Sequence, residues 1–276
     1  MKVFLNDRFL EAREAMLPIG DLSIQRGYGI FDFFRLQQGV LLYVEDHLAR
    51  FRKSAEMLRL EVPYNNEELI KILKELSELN GLTDAGIRMV LTGGDSPDAW
   101  QIGRPAFMVV QQPFVIDPSP SEPKAIRIIT HEFVRDLPEA KTINYSMGVW
   151  LQEKVKELKA DDVLYYTAAG ISEFPRCNAF VVNKNGEVFT PGHNILEGIT
   201  RKRLLEIPGQ PINIRRITLD EVRKASEIFL TSSTKRIQSI VSVDGLQVGN
   251  GKPGPVASLL LQKLLEAERH YIQSRH

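Results

Sequence analysis

Lys141, in the run Lys-Thr-Ile-Asn-Tyr145, is the residue of this 276-residue chain whose type and placement point most directly to chemistry. It follows the turn-like Asp136-Leu-Pro138. Beyond it the spacing of Met147, Leu151, Val155 and Leu158 predicts an amphipathic helix, with Glu153, Lys154, Lys156 and Glu157 on the outer face. An ammonium group at the mouth of a helix, with an asparagine and an aromatic close behind it, is unusual, although taken alone Lys141 reads as a surface lysine. Other runs suit an anion. Leu196-Glu-Gly-Ile-Thr-Arg201 sets a glycine and then a threonine at the start of a helical pattern, where backbone N–H groups and the helix dipole suit a phosphate. A plain N-capped helix is the alternative there. Thr231-Ser-Ser-Thr234 offers hydroxyls and amides to the same anion, or forms only a turn. Arg50, on a helical stretch, either neutralises phosphate charge or is solvated.

Other chemistries are excluded. No Gly-x-Gly-x-x-Gly follows a strand, and Gly251-Lys-Pro-Gly-Pro255 lacks the Walker spacing and carries prolines where amide donors are needed. There is no Gly-x-Ser-x-Gly elbow. His47, His131, His193, His270 and His276 show no ligand spacing, and the one cysteine, Cys177, reads as a small buried residue, so no metal site is expected. Thirty-five basic residues balance 35 acidic ones, which gives no field to attract nucleic acid or an anionic membrane. No apolar run approaches the roughly 18 residues of a membrane span. The polar N-terminus lacks a secretory h-region, and a single cysteine fits a reducing compartment, so the expected location is cytoplasmic.

The elements that must position these residues alternate irregularly. Strands are expected at 2–5 and 9–17, a glycine-punctuated turn at 21–29, strands at 30–35 and 40–44, and helices at 45–58 and 67–80. The first helix has Leu48, Phe51, Ala55 and Leu58 as its buried stripe. Strands at 86–91 and 106–111 flank a loop holding Gly93, Gly94, Pro97 and Gly103. Asp117-Pro-Ser-Pro-Ser-Glu-Pro123 concentrates prolines and reads as a linker. Beyond it come strands at 125–130, 162–166, 179–182, 186–190, 212–217 and 227–231. Helices follow at 200 onward, 218–225 and 254 onward. This pattern reads as α+β, with a small domain over 1–116, the linker over 117–123 and a larger domain over 124–276.

In order along the chain, six stretches resemble the successive signatures of fold-type IV pyridoxal-phosphate enzymes. They are 21–34, His47-Leu-Ala-Arg50, Lys141-Thr-Ile-Asn144, Glu173-Phe-Pro-Arg-Cys-Asn-Ala-Phe180, Asn194-Ile-Leu-Glu-Gly-Ile-Thr-Arg201 and Glu227-Ile-Phe-Leu-Thr-Ser-Ser-Thr234. That family comprises branched-chain aminotransferases, D-amino-acid transaminases and aminodeoxychorismate lyases. The resemblance implies a two-domain fold whose larger domain has a mixed, barrel-like sheet, with pyridoxal 5'-phosphate in the cleft between the domains of a homodimer. It assigns Lys141 as the Schiff-base lysine, which also moves the substrate proton and needs a lowered pKa to do so. It makes Glu173 the carboxylate that pairs with the pyridine nitrogen and keeps the ring an electron sink. Arg50, Ile199, Thr200 and Ser233 match phosphate-holding positions, the isoleucine through its backbone amide. Tyr145 stands near the place of a tyrosine beside the cofactor's 3'-oxygen, one residue closer to the lysine than in branched-chain enzymes.

The resemblance also frames substrate choice. D-amino-acid transaminases of the familiar type carry an Arg-x-His carboxylate trap where this chain reads Leu91-Thr-Gly-Gly-Asp-Ser-Pro-Asp-Ala-Trp100. A guanidinium is still the best-shaped partner for a carboxylate. Arg176, expected between a buried strand and the cofactor, and Arg26, in a loop that the family brings over the neighbouring subunit, are the first candidates. Arg88 is the third, and Thr234 joins them on the substrate side. Arg26 could instead pair with Asp21 or Asp32. The expected reaction is ping-pong amino transfer between an amino acid, with a lean toward D-amino acids, and 2-oxoglutarate or another 2-keto acid. Aminodeoxychorismate lyase and branched-chain L-amino-acid aminotransferase are the alternatives on this scaffold. A silent cofactor binder is the alternative from another class, and retention of Lys141 and Glu173 argues against it.

Overall fold

The computed structural model describes residues 1–275; His276 lies outside the described residues. The described residues form two compact units. The first holds Met1–Val115, Ala140–Asn144 and the chain from Tyr271 onward. The second holds Ile116–Glu139 and Tyr145–His270, so residues 117–123 group with the second unit and the lysine segment with the first.

The first unit is an antiparallel sheet backed by two helices. Its strands are β1 (Lys2–Leu5), β2 (Arg8–Glu11), β3 (Gly29–Gln37), β4 (Val40–Leu41), β5 (Ala85–Thr92) and β6 (Phe107–Pro113), in the order β2-β1-β6-β5-β3-β4. The two backing helices are α2 (Val44–Met57) and α3 (Asn66–Asn80), and the short α1 (Leu22–Arg26) precedes β3. Leu48, Phe51, Ala55 and Leu58 are all buried as the periodicity requires, and pack with Leu69, Leu73 and Leu76 of α3 against Phe34, Ile87, Met89 and Phe107. Asn65 and Glu68 close a capping box on α3, and Gly81 ends it with φ 61.

Three expectations change here. The strand expected to reach residue 17 stops at Glu11, because its partner begins at Lys2 and the ladder ends at Lys2↔Glu11. The turn expected at 21–29 contains α1, with the Asp21 side chain accepting from Ser23 N–H at 2.8 Å and Gly27 as the left-handed cap at φ 62. The strand expected to reach residue 44 ends at Leu41, and Tyr43, at φ 53, opens α2.

The second unit contains a mixed sheet with helices against it. Its elements are β7 (Lys124–Glu132), α4 (Ser146–Trp150), α5 (Gln152–Glu157), β8 (Asp162–Thr167), β9 (Gly170–Ile171), β10 (Asn178–Val182), β11 (Val188–Thr190), α6 (Ile199–Leu205), β12 (Ile212–Ile214), α7 (Leu219–Arg223), β13 (Glu227–Ser232), β14 (Arg236–Val243), β15 (Leu246–Gln247) and α8 (Pro255–Gln273). The strand order is β12-β11-β10-β13-β14-β7-β8-β9, with β15 beside β14. The β11/β12, β14/β7 and β7/β8 pairs are parallel and the others antiparallel. Both faces of the central strands are buried. Phe180, Phe229 and Ile237 meet Leu260, Leu261 and Leu264 of α8 on one side, while Ile228, Leu230 and Ile240 join Ile126, Leu164 and Phe174 on the other.

Strand β14 has no counterpart among the expected strands. It opens on Arg236, a buried arginine at φ 53 whose Nε donates to Glu268 at 2.8 Å, so its first residue looks like loop until its partner is known. The helix expected from Met147 to Leu158 divides at Leu151 into α4 and α5, and Leu158 is exposed rather than part of the stripe. The strand expected at 212–217 is confined to Ile212–Ile214, and the helix expected at 218–225 to Leu219–Arg223. Among the described residues no helix is long and apolar enough to cross a membrane.

Candidate active site

In the first unit, Lys141 is fixed by its backbone before its side chain is considered. Residues 141–143 add an extra rung to the start of β3: Phe31 N–H donates to Lys141 C=O at 2.9 Å and Ile143 N–H to Gly29 C=O at 3.0 Å. Lys141 N–H donates to Ser54 Oγ, on α2, at 3.0 Å. The chains approach closely enough that a Cβ on Gly29 would meet Leu91 O at 2.8 Å and Ile143 Cδ1 at 3.1 Å, so only glycine fits. The Lys141 Nζ lies 4.5 Å from the centre of the Phe31 ring. The guanidinium of Arg88, from β5, lies 5.2 Å from the same ring, so two cations share one aromatic side chain.

Arg50 is equally constrained. Its Nε and Nη2 donate to the two oxygens of Asp32, each at 2.8 Å, and His47 Nδ1 lies 2.7 Å from Asp32 Oδ1. Asp32 is fully buried. Burial alone would raise its pKa, but Arg50 and His47 outweigh that and hold the carboxyl well below the usual range. Burial pushes His47 down, against Asp32, with Arg50 and Lys141 adding to the depression, so the imidazole stays neutral beside a charged pair.

The second unit holds a buried carboxylate. Glu173 is 4 % exposed; its Oε1 accepts from Arg135 Nε at 2.7 Å and its Oε2 from Leu196 N–H at 2.9 Å. Arg135 also donates to Pro138 C=O. Tyr145 stands at the N-terminal end of α4 and is half-buried. Its neighbour in this part of the unit, Tyr165, has its hydroxyl pushed up to about 12 by burial and then by Asp162 and Glu173.

The start of α6 provides main-chain donors. Gly198 precedes it in an extended conformation, and no side chain caps Ile199 or the residues after it. A Cβ on Gly198 would lie 2.1 Å from Asn178 Oδ1, and Asn178 Nδ2 in turn donates to Leu196 C=O at 2.7 Å. Ile199 is buried and Thr200 half-buried. α6 packs on β13, whose Thr231 Oγ1 is buried with no hydrogen-bond partner among the described residues. In the turn that follows, Ser232 Oγ accepts from Lys235 N–H at 3.2 Å and lies 3.3 Å from Thr234 Oγ1. Ser233 is half-buried and Thr234 exposed. Uncapped amides, a cradle that admits only glycine and a buried hydroxyl lacking a partner suit an oxyanion such as a phosphate.

The arginine candidates separate clearly. Arg88 shares Phe31 with Lys141. Arg26, on α1, is exposed and donates to Gln25 C=O at 2.8 Å; neither alternative partner takes it, since Asp21 serves Ser23 and Thr92 and Asp32 serves Arg50 and His47. Arg176, in the turn before β10, is exposed. In the place of the Arg-x-His pair, Asp98 accepts from the Trp100 and Gln101 backbone amides, which with the Gln101 side chain hold its carboxyl down to about 2. Arg135, Asp32, His47 and Ser54 escaped the assignment of roles. Only Asp32, a carboxylate inside the apolar run Ile30-Phe-Asp-Phe-Phe34, carried a sequence signal, because a buried charge needs a partner.

Residues 29–243 match the model of the family described as amino-transferase class IV. The chain is 30% identical over 263 residues to the D-alanine aminotransferase of Bacillus licheniformis, with 93% of each chain covered. It is 30% identical over 283 residues to the D-alanine aminotransferase of Staphylococcus haemolyticus, covering 99% of each. Among solved structures it is similar to the branched-chain aminotransferase of the thermophilic archaeon Thermoproteus uzoniensis with norvaline, with a TM-score of 0.84, 27% identity and coverage of 98% of this chain and 93% of that one. The chain belongs to the class IV aminotransferase family and has the α+β fold of the fold-type IV enzymes. It is therefore a pyridoxal-phosphate-dependent transaminase.

Proposed function

We propose that the chain transfers the amino group of a D-amino acid to 2-oxoglutarate or a similar 2-keto acid by a ping-pong reaction, with Lys141 as the residue that forms the Schiff base. The observation that carries this reading is the fixed backbone of Lys141, whose ammonium shares the Phe31 ring with Arg88. Bound pyridoxal 5'-phosphate supplies the electron sink that makes the Cα proton of an amino acid removable. Every other task falls to side chains of this chain.

Lys141 would hold the cofactor and take and return the substrate's Cα proton. Its backbone hydrogen bonds limit where Nζ can reach, which is the orientation that proton transfer needs. Glu173, held by Arg135 and Leu196 N–H, presents a carboxylate to the pyridine nitrogen. Arg50, Thr200, Ser233 and the amide of Ile199 take the phosphate, and the vacant hydrogen-bonding capacity of Thr231 adds to that set. Tyr145 stays assigned to the cofactor's 3'-oxygen. Arg88 is the favoured cation for the substrate carboxylate, since it lies over the same ring as the reactive amine, with Arg26, Arg176 and Thr234 as outer contributors. The D-alanine aminotransferase relatives support the D-lean. A branched-chain L-amino-acid reading is the second, and the likeness to the Thermoproteus uzoniensis enzyme favours it.

A homodimer fits the first unit's exposed apolar side chains, Met16, Ile19, Ile24 and Trp100, which a second copy would cover. Cys177, with its thiol pushed up to about 11 by burial, fits a reducing cytoplasmic setting without redox work. The test is the visible absorbance of the holoenzyme after adding D-alanine, D-glutamate or L-leucine without acceptor. Loss of the cofactor band with the D-amino acids alone is expected. Loss with L-leucine alone would transfer the protein to the branched-chain group. A band that none of them changes would direct the test to aminodeoxychorismate.

A further inference from the structure

Helix α2 is amphipathic, and three polar side chains lie beside its apolar stripe. His47, Arg50 and Ser54 recur at three- and four-residue spacing and so lie along one face. His47 and Arg50 are both spent on Asp32. Ser54 has 0 % of its surface exposed. A serine hydroxyl inside a helix normally serves the carbonyl one turn earlier. Here its oxygen accepts the N–H of Lys141 at 3.0 Å, across a sequence separation of 87 residues.

We propose that Ser54 is a positioning residue for Lys141: its hydroxyl fixes the lysine's backbone to the helix that carries Arg50, so that one rigid element sets the reach from the phosphate cation to the reactive amine. The inference rests on the reading of Lys141 as the reactive lysine. Hydrogen bonds to β3 and to α2 hold the segment. Those to Gly29 and Phe31 of β3 fix its direction, and the Ser54 bond fixes how far it stands from α2. The β3 bonds are backbone to backbone and would survive substitution at position 54. The Ser54 bond depends on one side-chain atom. An alanine there would leave the Lys141 N–H without that acceptor and loosen the tie between the segment and α2.

The experiment compares Ser54→Ala and Ser54→Cys with Ser54→Thr, each as holoenzyme. Alanine removes the acceptor, cysteine replaces it by a weak one in nearly the same space, and threonine restores a hydroxyl. Amide hydrogen exchange at Lys141 is expected to quicken by roughly tenfold in the alanine and cysteine variants, the order of one lost hydrogen bond. Their kcat is expected to fall by roughly tenfold to a hundredfold, the cost of a misplaced reacting group, with KM for the amino acid within about twofold of wild type. Threonine is expected to recover both. Alanine and cysteine variants with unchanged exchange and unchanged kcat would overturn the inference, as would a loss confined to KM. A Lys141→Ala enzyme that kept full activity would instead overturn the reading of Lys141, whatever position 54 did. Cysteine keeps the test intact should alanine fail to fold.

Discussion

The two units place a buried carboxylate beside an arginine in opposite senses. In the first, Asp32 holds Arg50; in the second, Arg135 holds Glu173, and under the proposed function Arg50 and Glu173 are the groups offered to the cofactor. Asp32 is buried under a helix and takes a second donor, His47, and its apolar surroundings make it the residue that looks out of place in the sequence. Arg135 is on a loop and takes a backbone carbonyl as its second partner, so nothing in the sequence distinguishes it from a surface arginine. The comparison teaches that a supporting ion is readable from sequence when it interrupts an apolar run. It is silent when it comes from a polar loop.

The largest effect expected is at Lys141, the proposed Schiff-base lysine. Lys141→Ala should lower the transamination rate by about a hundredfold to ten-thousandfold, the range for a lost proton-transfer group, measured as keto acid formed from a D-amino acid. The mirror pairs should come next. Arg135→Met removes the guanidinium that Glu173 accepts from, and Asp32→Asn removes the charge that Arg50 donates to. Each should cost roughly 3–5 kcal/mol in urea unfolding, as for breaking one side of a buried pair. If Arg135→Met cost as little as a surface substitution, the symmetry of the two pairs would be broken.

The pairs also make a pH prediction. Asp32 has a folded pKa below its unfolded value of about 3.9. Its contribution is therefore present above that unfolded value and lost as pH falls toward the depressed folded one. Wild-type stability should drop more steeply below about pH 4 than that of Asp32→Asn. Equal slopes would mean that Asp32 is not held ionised by Arg50 and His47.

Smaller effects separate the arginine candidates. Arg88→Gln should raise KM for the keto acid by about tenfold, near 1.4 kcal/mol, while Arg176→Gln should stay within about twofold. The reverse order would return the carboxylate to the second unit. The smallest effect expected is at Cys177, whose thiol is buried and pushed up to about 11, so iodoacetamide at about pH 8 should leave the folded protein unlabelled and label it in urea.

Much of this arrangement was legible in the chain. The stripe of α2, the hairpin of β10 with β11 and the glycine-threonine start of α6 follow from local periodicity and turn chemistry, and the structure has each of them. What was not legible is non-local. Strand β14 opens on an arginine that becomes buriable through Glu268, 32 residues away, and the Asp117 carbonyl. Ser54 gains a role only when Lys141 is brought beside it. The split at Leu151 and the exposure of Arg176 depend on which neighbours pack against a helix or a turn, which spacing alone does not encode.

The most direct test of the central claim is to reduce the holoenzyme with borohydride, digest it and find by mass spectrometry which lysine retains the cofactor. A single labelled peptide carrying the modification on Lys141 is expected. A label on any other lysine, with Lys141 unmodified, would contradict it.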